Sequence, residues 1–165
     1  MKKLSLSFCL LIGLFLSVNA QEKPKIGVFL AYGTEIENLG IGANAEFTIS
    51  EKLSISPSIV YYLPKEEYGV KMNWLEVNAN ANYYFIKQAN LDFYGFAGLS
   101  YNSIKVSYDQ AWGINGSWSD GRVGLNLGSG IHFLNSKKIT PFAELKYVIV
   151  DSGQLVLSGG LKFNL

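Results

Sequence analysis

The chain has 165 residues, a formal net charge of +1, 16% charged residues and 14% aromatic ones; a soluble domain usually carries about 25% charged residues. The length suits one domain, and no Lys/Arg block marks a nucleic-acid surface. Cys9 is the only cysteine and it lies in the first apolar segment, so the rest of the chain offers no disulfide, no thiolate metal site and no cysteine nucleophile.

The chain opens MKKLSLSFCLLIGLFLSVNAQE. Lys2 and Lys3 precede an apolar run from Leu4 to Val18, and Val18-Asn19-Ala20 ends in small residues. This pattern predicts a secretory signal peptide over residues 1–20, cleaved after Ala20, and a single domain over 21–165. Cys9 is too early for a lipoprotein anchor. Export without disulfides points to a bacterial envelope protein.

Alternating segments predict strands over 26–33, 39–49, 53–63, 73–86, 91–106, 122–134, 139–150 and 154–165. The stretch NWLEVNANANYYFI shows the pattern well. Leu75, Val77, Ala79, Ala81, Tyr83 and Phe85 share one face, while Trp74, Glu76, Asn78, Asn80, Asn82 and Tyr84 share the other. Strands near 39–49, 122–134 and 154–165 oppose Leu, Ile and Phe to Gly, Asn and Ser in the same way. Pro57 and Pro141 each remove a ladder donor and predict a bulge or a local end of pairing. No segment shows a 3.6-residue apolar period.

Three features select a membrane barrel over a soluble sandwich. Many strands are long enough to cross a bilayer at a tilt. The polar face uses Gly, Ser and Asn, which suit a crowded interior. Connections alternate between short turns (SEK, KQAN, NSKK) and longer loops at 64–72 and 107–121, the outer-membrane arrangement. Tyr32, Tyr61, Trp74 and Tyr101 are expected near the outer rim, with Phe47, Tyr83, Phe85, Phe93, Phe133 and Phe163 near the periplasmic rim. The fold class is therefore all-β: an eight-stranded antiparallel up-and-down transmembrane β-barrel, with both termini periplasmic.

On these grounds, and on the C-terminal LVLSGGLKFNL, the chain resembles the small outer-membrane barrels typified by the OmpA transmembrane domain and OmpX, and the outer-membrane β-barrel domain proteins of Bacteroidetes. Leu161, Phe163 and Leu165 resemble the family's barrel-assembly signal, although many such signals end in Phe. The resemblance implies outer-membrane lipid as the surroundings, and periplasmic chaperones and the barrel-assembly machinery as partners during biogenesis. It implies no single function, since such barrels include adhesins and structural anchors.

Candidate chemistry is sparse. His132, the only histidine, is placed inside the barrel, on the face opposite Ser129, so these two cannot form a nucleophile–base pair. No cofactor or metal-binding pattern is present. Glu46, Glu76, Glu144, Lys146 and Lys162 all take inward positions. They line a conducting path or form a paired network that closes the lumen, and the narrow interior of eight strands favours closure. In the last hairpin, a three-residue DSG connection would set Lys146 opposite Ser158 and Glu144 opposite Gly160, so that Glu144 pairs with Lys162 or Lys146. Gly153 would take the left-handed position. The loop at 107–121, with Tyr108, Trp112 and Trp118, is the candidate contact surface for an extracellular partner. A structural or surface-interaction protein is the leading reading, and a small channel or lipid-modifying enzyme the alternative.

Overall fold

The computed structural model describes residues 23–165 except 68–69, 109–115, 135–137 and 151–152. The predicted signal segment and Trp112 lie outside the described residues. The chain forms β1 (Lys25–Gly33), β2 (Asn38–Ser50), β3 (Leu53–Glu67), β4 (Val70–Lys87), β5 (Leu91–Tyr108), β6 (Gly116–Phe133), β7 (Ile139–Ile149) and β8 (Gln154–Asn164). Each strand pairs antiparallel with its sequence neighbour, and β1 pairs with β8 from Lys25↔Asn164 to Gly33↔Val156, which closes the barrel.

The two-residue period becomes the wall. Val28, Leu30, Ile41, Leu99, Leu127 and Leu157 point outward and stay bare, Leu127 at 59% and Leu157 at 60% exposure. Glu76, Asn78, Asn82, Asn126 and Lys162 point inward and are buried. A soluble protein would not present apolar side chains around its whole circumference. Hydrocarbon requires that exterior, and closure gives every strand partners on both sides across the bilayer. The aromatic placement agrees for Tyr32, Tyr61, Tyr101, Phe47, Tyr83, Phe85 and Phe163, which are all exposed. Trp74 does not join the outer girdle. It stands on the inward face and packs against the buried Ala31–Val60–Tyr62–Val148–Val156 cluster.

Both prolines interrupt the ladders as expected. β2–β3 pairing resumes only beyond Pro57, between Asn44↔Ser58 and Phe47↔Ile55. β6–β7 pairing stops at His132↔Phe142, next to Pro141.

Four strands run further than the sequence suggested. β3 to β6 have 15, 18, 18 and 18 residues, against 11 in β7 and 11 in β8. About 9–11 residues suffice to cross a bilayer, so β3–β6 stand above the other half of the rim. Most of the expected loop 64–72 and both flanks of 107–121 are therefore strand. These extensions are short and rich in polar residues, with no sustained apolar alternation, which is why they read as loops.

The last hairpin differs too. The register pairs Val148↔Gln154, Lys146↔Val156 and Glu144↔Ser158, two residues away from the expected pairing. The connection is longer than DSG, and Ile149 pairs with Leu125 of β6 instead of continuing the hairpin. Gly153 does take the left-handed conformation, with φ 68°, and its N–H donates to the Val150 carbonyl.

Candidate functional site

The lumen is filled by side chains from every strand, organised as two polar networks. The first lies toward the terminal end of the barrel, where Lys25 and Asn164 pair. Lys162 on β8 donates to Glu46 Oε2 on β2 at 2.6 Å, and its Nζ lies 3.0 Å from His132 Nε2 on β6. An ammonium group has only donors, so this contact makes Nε2 the acceptor and puts the ring proton on Nδ1. Glu46 Oε1 accepts from Tyr84 OH on β4 and from Ser54 Oγ on β3 at 3.0 Å, and Ser54 Oγ in turn accepts from Asn82 at 3.2 Å. Two rings flank the cation and the imidazole: Lys162 Nζ is 4.8 Å from the Phe142 centroid and 5.7 Å from that of Tyr94, and the His132 ring lies tilted 4.7 Å from Tyr94. Buried charges require this kind of enclosure by partners, since isolation in a low-dielectric interior is costly.

The second network lies toward the loop end. Lys146 on β7 pairs with Glu76 Oε1 on β4, and Tyr62 OH donates to Glu76 Oε2 at 3.4 Å. Asn126 Nδ2 bridges Asn78 Oδ1 at 2.9 Å and Asn80 Oδ1 at 2.8 Å, while Asn78 donates to Ser58 at 3.1 Å. Between the networks Phe29 and Phe142 meet edge to face at 5.9 Å. Large rings fit because glycine faces them across the ladders. Phe29 lies over Gly42 and Gly160, Phe96 over Gly128 and Tyr94 over Gly130, and a Cβ at any of these glycines would collide with the ring or the Phe29 backbone.

Each end of the lumen holds a separate cavity. One, about 230 Å³, is lined at the loop end by residues including Trp74, Asn102, Arg122 and Gln154. The other, about 200 Å³, is lined at the terminal end by residues including Lys25, Glu46, Tyr84 and Asp92. They share no lining residue, and the ion pairs and rings stand between them.

All five inward charges thus face the lumen, but they combine differently from the expected hairpin pairing. Glu144 accepts from Tyr94 OH at 2.6 Å, and the lysines reach carboxylates on non-adjacent strands, Lys162 past β1 to Glu46 on β2 and Lys146 to Glu76 on β4. The two-residue register difference removes the predicted Glu144–Lys162 diagonal. The hydroxyls of Tyr62, Tyr84 and Tyr94 are members of the networks that the sequence reading did not single out. Their position on the polar side of the alternation was the available signal.

His132 is fully buried with Lys162 and Glu46 at Nε2, and its Nδ1 has no partner among the described residues. Ser129 faces the opposite side of the wall. Among the described residues no cluster of three His, Cys, Asp or Glu could hold a metal ion.

At the loop end, Tyr108 pairs with Val70 and Gly116 through its backbone. Trp118 is 57% exposed on β6, opposite Val106. Asp120 and Arg122 form an ion pair of 2.7 Å along the same strand.

No protein-family model matches the chain, and no curated protein does. Solved structures do. The N-terminal β-barrel domain of Pseudomonas aeruginosa OprF aligns with TM-score 0.69 at 16% identity, over 88% of this chain and 98% of that one. Neisserial surface protein A aligns with TM-score 0.66 at 17% identity, over 86% and 96%. Ail, the attachment invasion locus protein of Yersinia pestis, aligns with TM-score 0.57 at 17% identity, over 86% and 97%. At such identities the likeness is one of fold, while the apolar wall is what puts this chain in lipid. The chain is a small closed eight-stranded antiparallel β-barrel, similar in fold to the barrels of OprF, Neisserial surface protein A and Ail.

Proposed function

We propose that the protein is a structural or surface-interaction protein of the outer membrane, with its lumen closed and its loop end presented outside the cell. The observation that carries this reading is the filled interior, with the Lys162–Glu46 and Lys146–Glu76 pairs lying between two end cavities that share no lining residue. A conducting barrel needs a continuous wet path, and an eight-stranded wall leaves room for side chains and little else. Four of the five inward charges pair with one another, and Glu144 accepts from Tyr94. Chemistry on lipid would need a nucleophile and base on the outer wall, and the histidine is inside.

Orientation follows from the strand count and the rim. Both termini lie at the end with the short connections and belong in the periplasm, in the manner of the OmpX-like barrels. The tall half of the rim, built by β3–β6, then faces outward and makes Tyr108, Trp112 and Trp118 the contact residues. One of the fold relatives is described as an attachment invasion protein and another as a surface protein, which supports a surface role. Cysteines placed singly at Ser117 and Lys52 test the orientation. On intact cells an impermeant maleimide should label Ser117→Cys alone. Labelling of Lys52→Cys alone would invert the orientation and remove the surface role.

A further inference from the structure

The outer wall is not evenly clad. A groove of about 330 Å³ opens on it, and its lining residues Phe85, Leu145 and Leu157 face outward and are exposed. The ladders show how it is made. Along one rung Gly95 and Ser129 are followed by Leu145 and Leu157. Along the next, Phe93 and Ile131 are followed by Ala143 and Gly159. The small residues therefore form a continuous track across β5 to β8, which steps from one rung to the other between β6 and β7. Large side chains flank it, Phe93 and Ile131 along its first half and Leu145 and Leu157 along its second. Glu144 also borders the groove, but its Oε1 accepts from Tyr94 OH on the lumen side.

Two further observations set this track apart. Glycine weakens a strand interior, and the lumen glycines Gly42, Gly128, Gly130 and Gly160 are needed because a Cβ there would strike a neighbour. Gly95 and Gly159 are not needed in that way. A Cβ at Gly95 would come no nearer than 3.8 Å to the Gly128 carbonyl, and one at Gly159 no nearer than 3.6 Å to that of Phe142. The chain's own packing leaves both places open. At the β4 end, pairing with β5 passes from Tyr84↔Tyr94 to Ile86↔Phe93, so Phe85 is the extra residue of a bulge. A bulge re-aims a side chain, and the Phe85 ring stands beside Gly95 and closes the track there.

We propose that this groove is a binding site for one acyl chain of a membrane phospholipid. The wall stands in hydrocarbon, so the groove opens onto acyl chains. A chain lying in the track touches backbone and small side chains beneath it and large side chains beside it, whereas elsewhere on the wall it touches protein on one side only. Moving a chain from lipid onto protein gains nothing from leaving water, so this added contact is what retains it. A second copy is a poorer occupant. Two copies related by a two-fold axis along the membrane normal would set groove against groove, and neither would be filled. The site depends neither on which end of the barrel faces outside nor on a surface role.

The test uses the protein with ¹³C-labelled Ile and Leu methyl groups in phospholipid nanodiscs. Nuclear Overhauser effects from lipid chain methylenes should build up faster at Ile131, Leu145 and Leu157 than at Ile41 and Ile59, which are exposed on the wall away from the groove. This comparison needs no variant. Gly159→Leu and Gly95→Leu fill the track with side chains for which the chain itself has room. In each, once heat-dependent gel mobility shows the barrel folded, the excess at the groove should disappear while the signals at Ile41 and Ile59 stay. Native mass spectrometry after transfer to detergent should find a retained phospholipid on the wild type and none on Gly159→Leu. Equal build-up at groove and control methyls would overturn the proposal, as would an excess that survives both leucines. Contacts between two copies at Leu145 and Leu157 in place of lipid contacts would overturn it too.

Discussion

Lys162 and Glu46 offer the sharpest energetic test of the closed lumen. Lys162 is 0% exposed and Glu46 2%, so neither charge has water to fall back on. Glu46→Gln would leave the ammonium with a neutral amide, His132 Nε2 and two ring faces, a poor substitute for a carboxylate. Removing one partner of a buried pair costs about 3–5 kcal/mol, and Glu46→Gln should fall in that range. Lys162→Met should cost less, about 3 kcal/mol, because Tyr84 and Ser54 continue to donate to Glu46. The double variant leaves no unpaired charge, so it should recover about 2–3 kcal/mol relative to the sum of the singles. Urea unfolding in lipid vesicles, followed by tryptophan fluorescence, measures each corner of the cycle. A parallel cycle between Lys162→Met and Glu144→Gln should show much weaker coupling, since Glu144 is bound by Tyr94. Effects of Glu46 and Lys162 that add to within about 0.5 kcal/mol would refute the pairing.

Other outcomes check the wall and the filling. Leu127→Arg, on the bare outer face, should destabilise the inserted barrel by about 2–4 kcal/mol if it lies near the midplane; vesicle refolding and urea titration read this. Gly130→Val should cost about 1–3 kcal/mol by overpacking, because its Cβ would strike the Tyr94 ring, and Tyr94→Ala in the same chain should relieve part of that cost. The folded protein in detergent should shift its gel mobility on boiling, and recovery of the folded chain without detergent would contradict the lipid-facing wall.

The sequence carried the wall well and the interior only partly. A two-residue period is local, so Leu75 to Phe85 and Glu76 to Asn82 could be assigned to opposite faces from one strand alone. Pro57 and Pro141 marked real interruptions for an equally local reason, the missing N–H. Strand tops were illegible because residues beyond the bilayer obey no sustained apolar alternation, so Lys65 and Glu66 read as loop. Trp74 was drawn to the rim by residue type although its parity already placed it inside. The ion pairs were hidden by topology. Glu46 and Lys162 are 116 positions apart, and Glu76 and Lys146 are 70 apart. Their meeting depends on the curvature of a closed wall, while the expected Glu144 pairing relied on a local hairpin register that a longer connection altered.

Closure of the lumen is tested most directly by single-channel recording across a planar bilayer. The wild-type protein, inserted and verified by its heat-dependent mobility, should give no discrete conductance steps in molar salt. The Glu46→Ala/Lys162→Ala/Glu76→Ala/Lys146→Ala variant, which empties both lumen pairs, should give small, resolvable steps if it inserts. Steady conductance from the wild-type barrel would contradict the sealed interior.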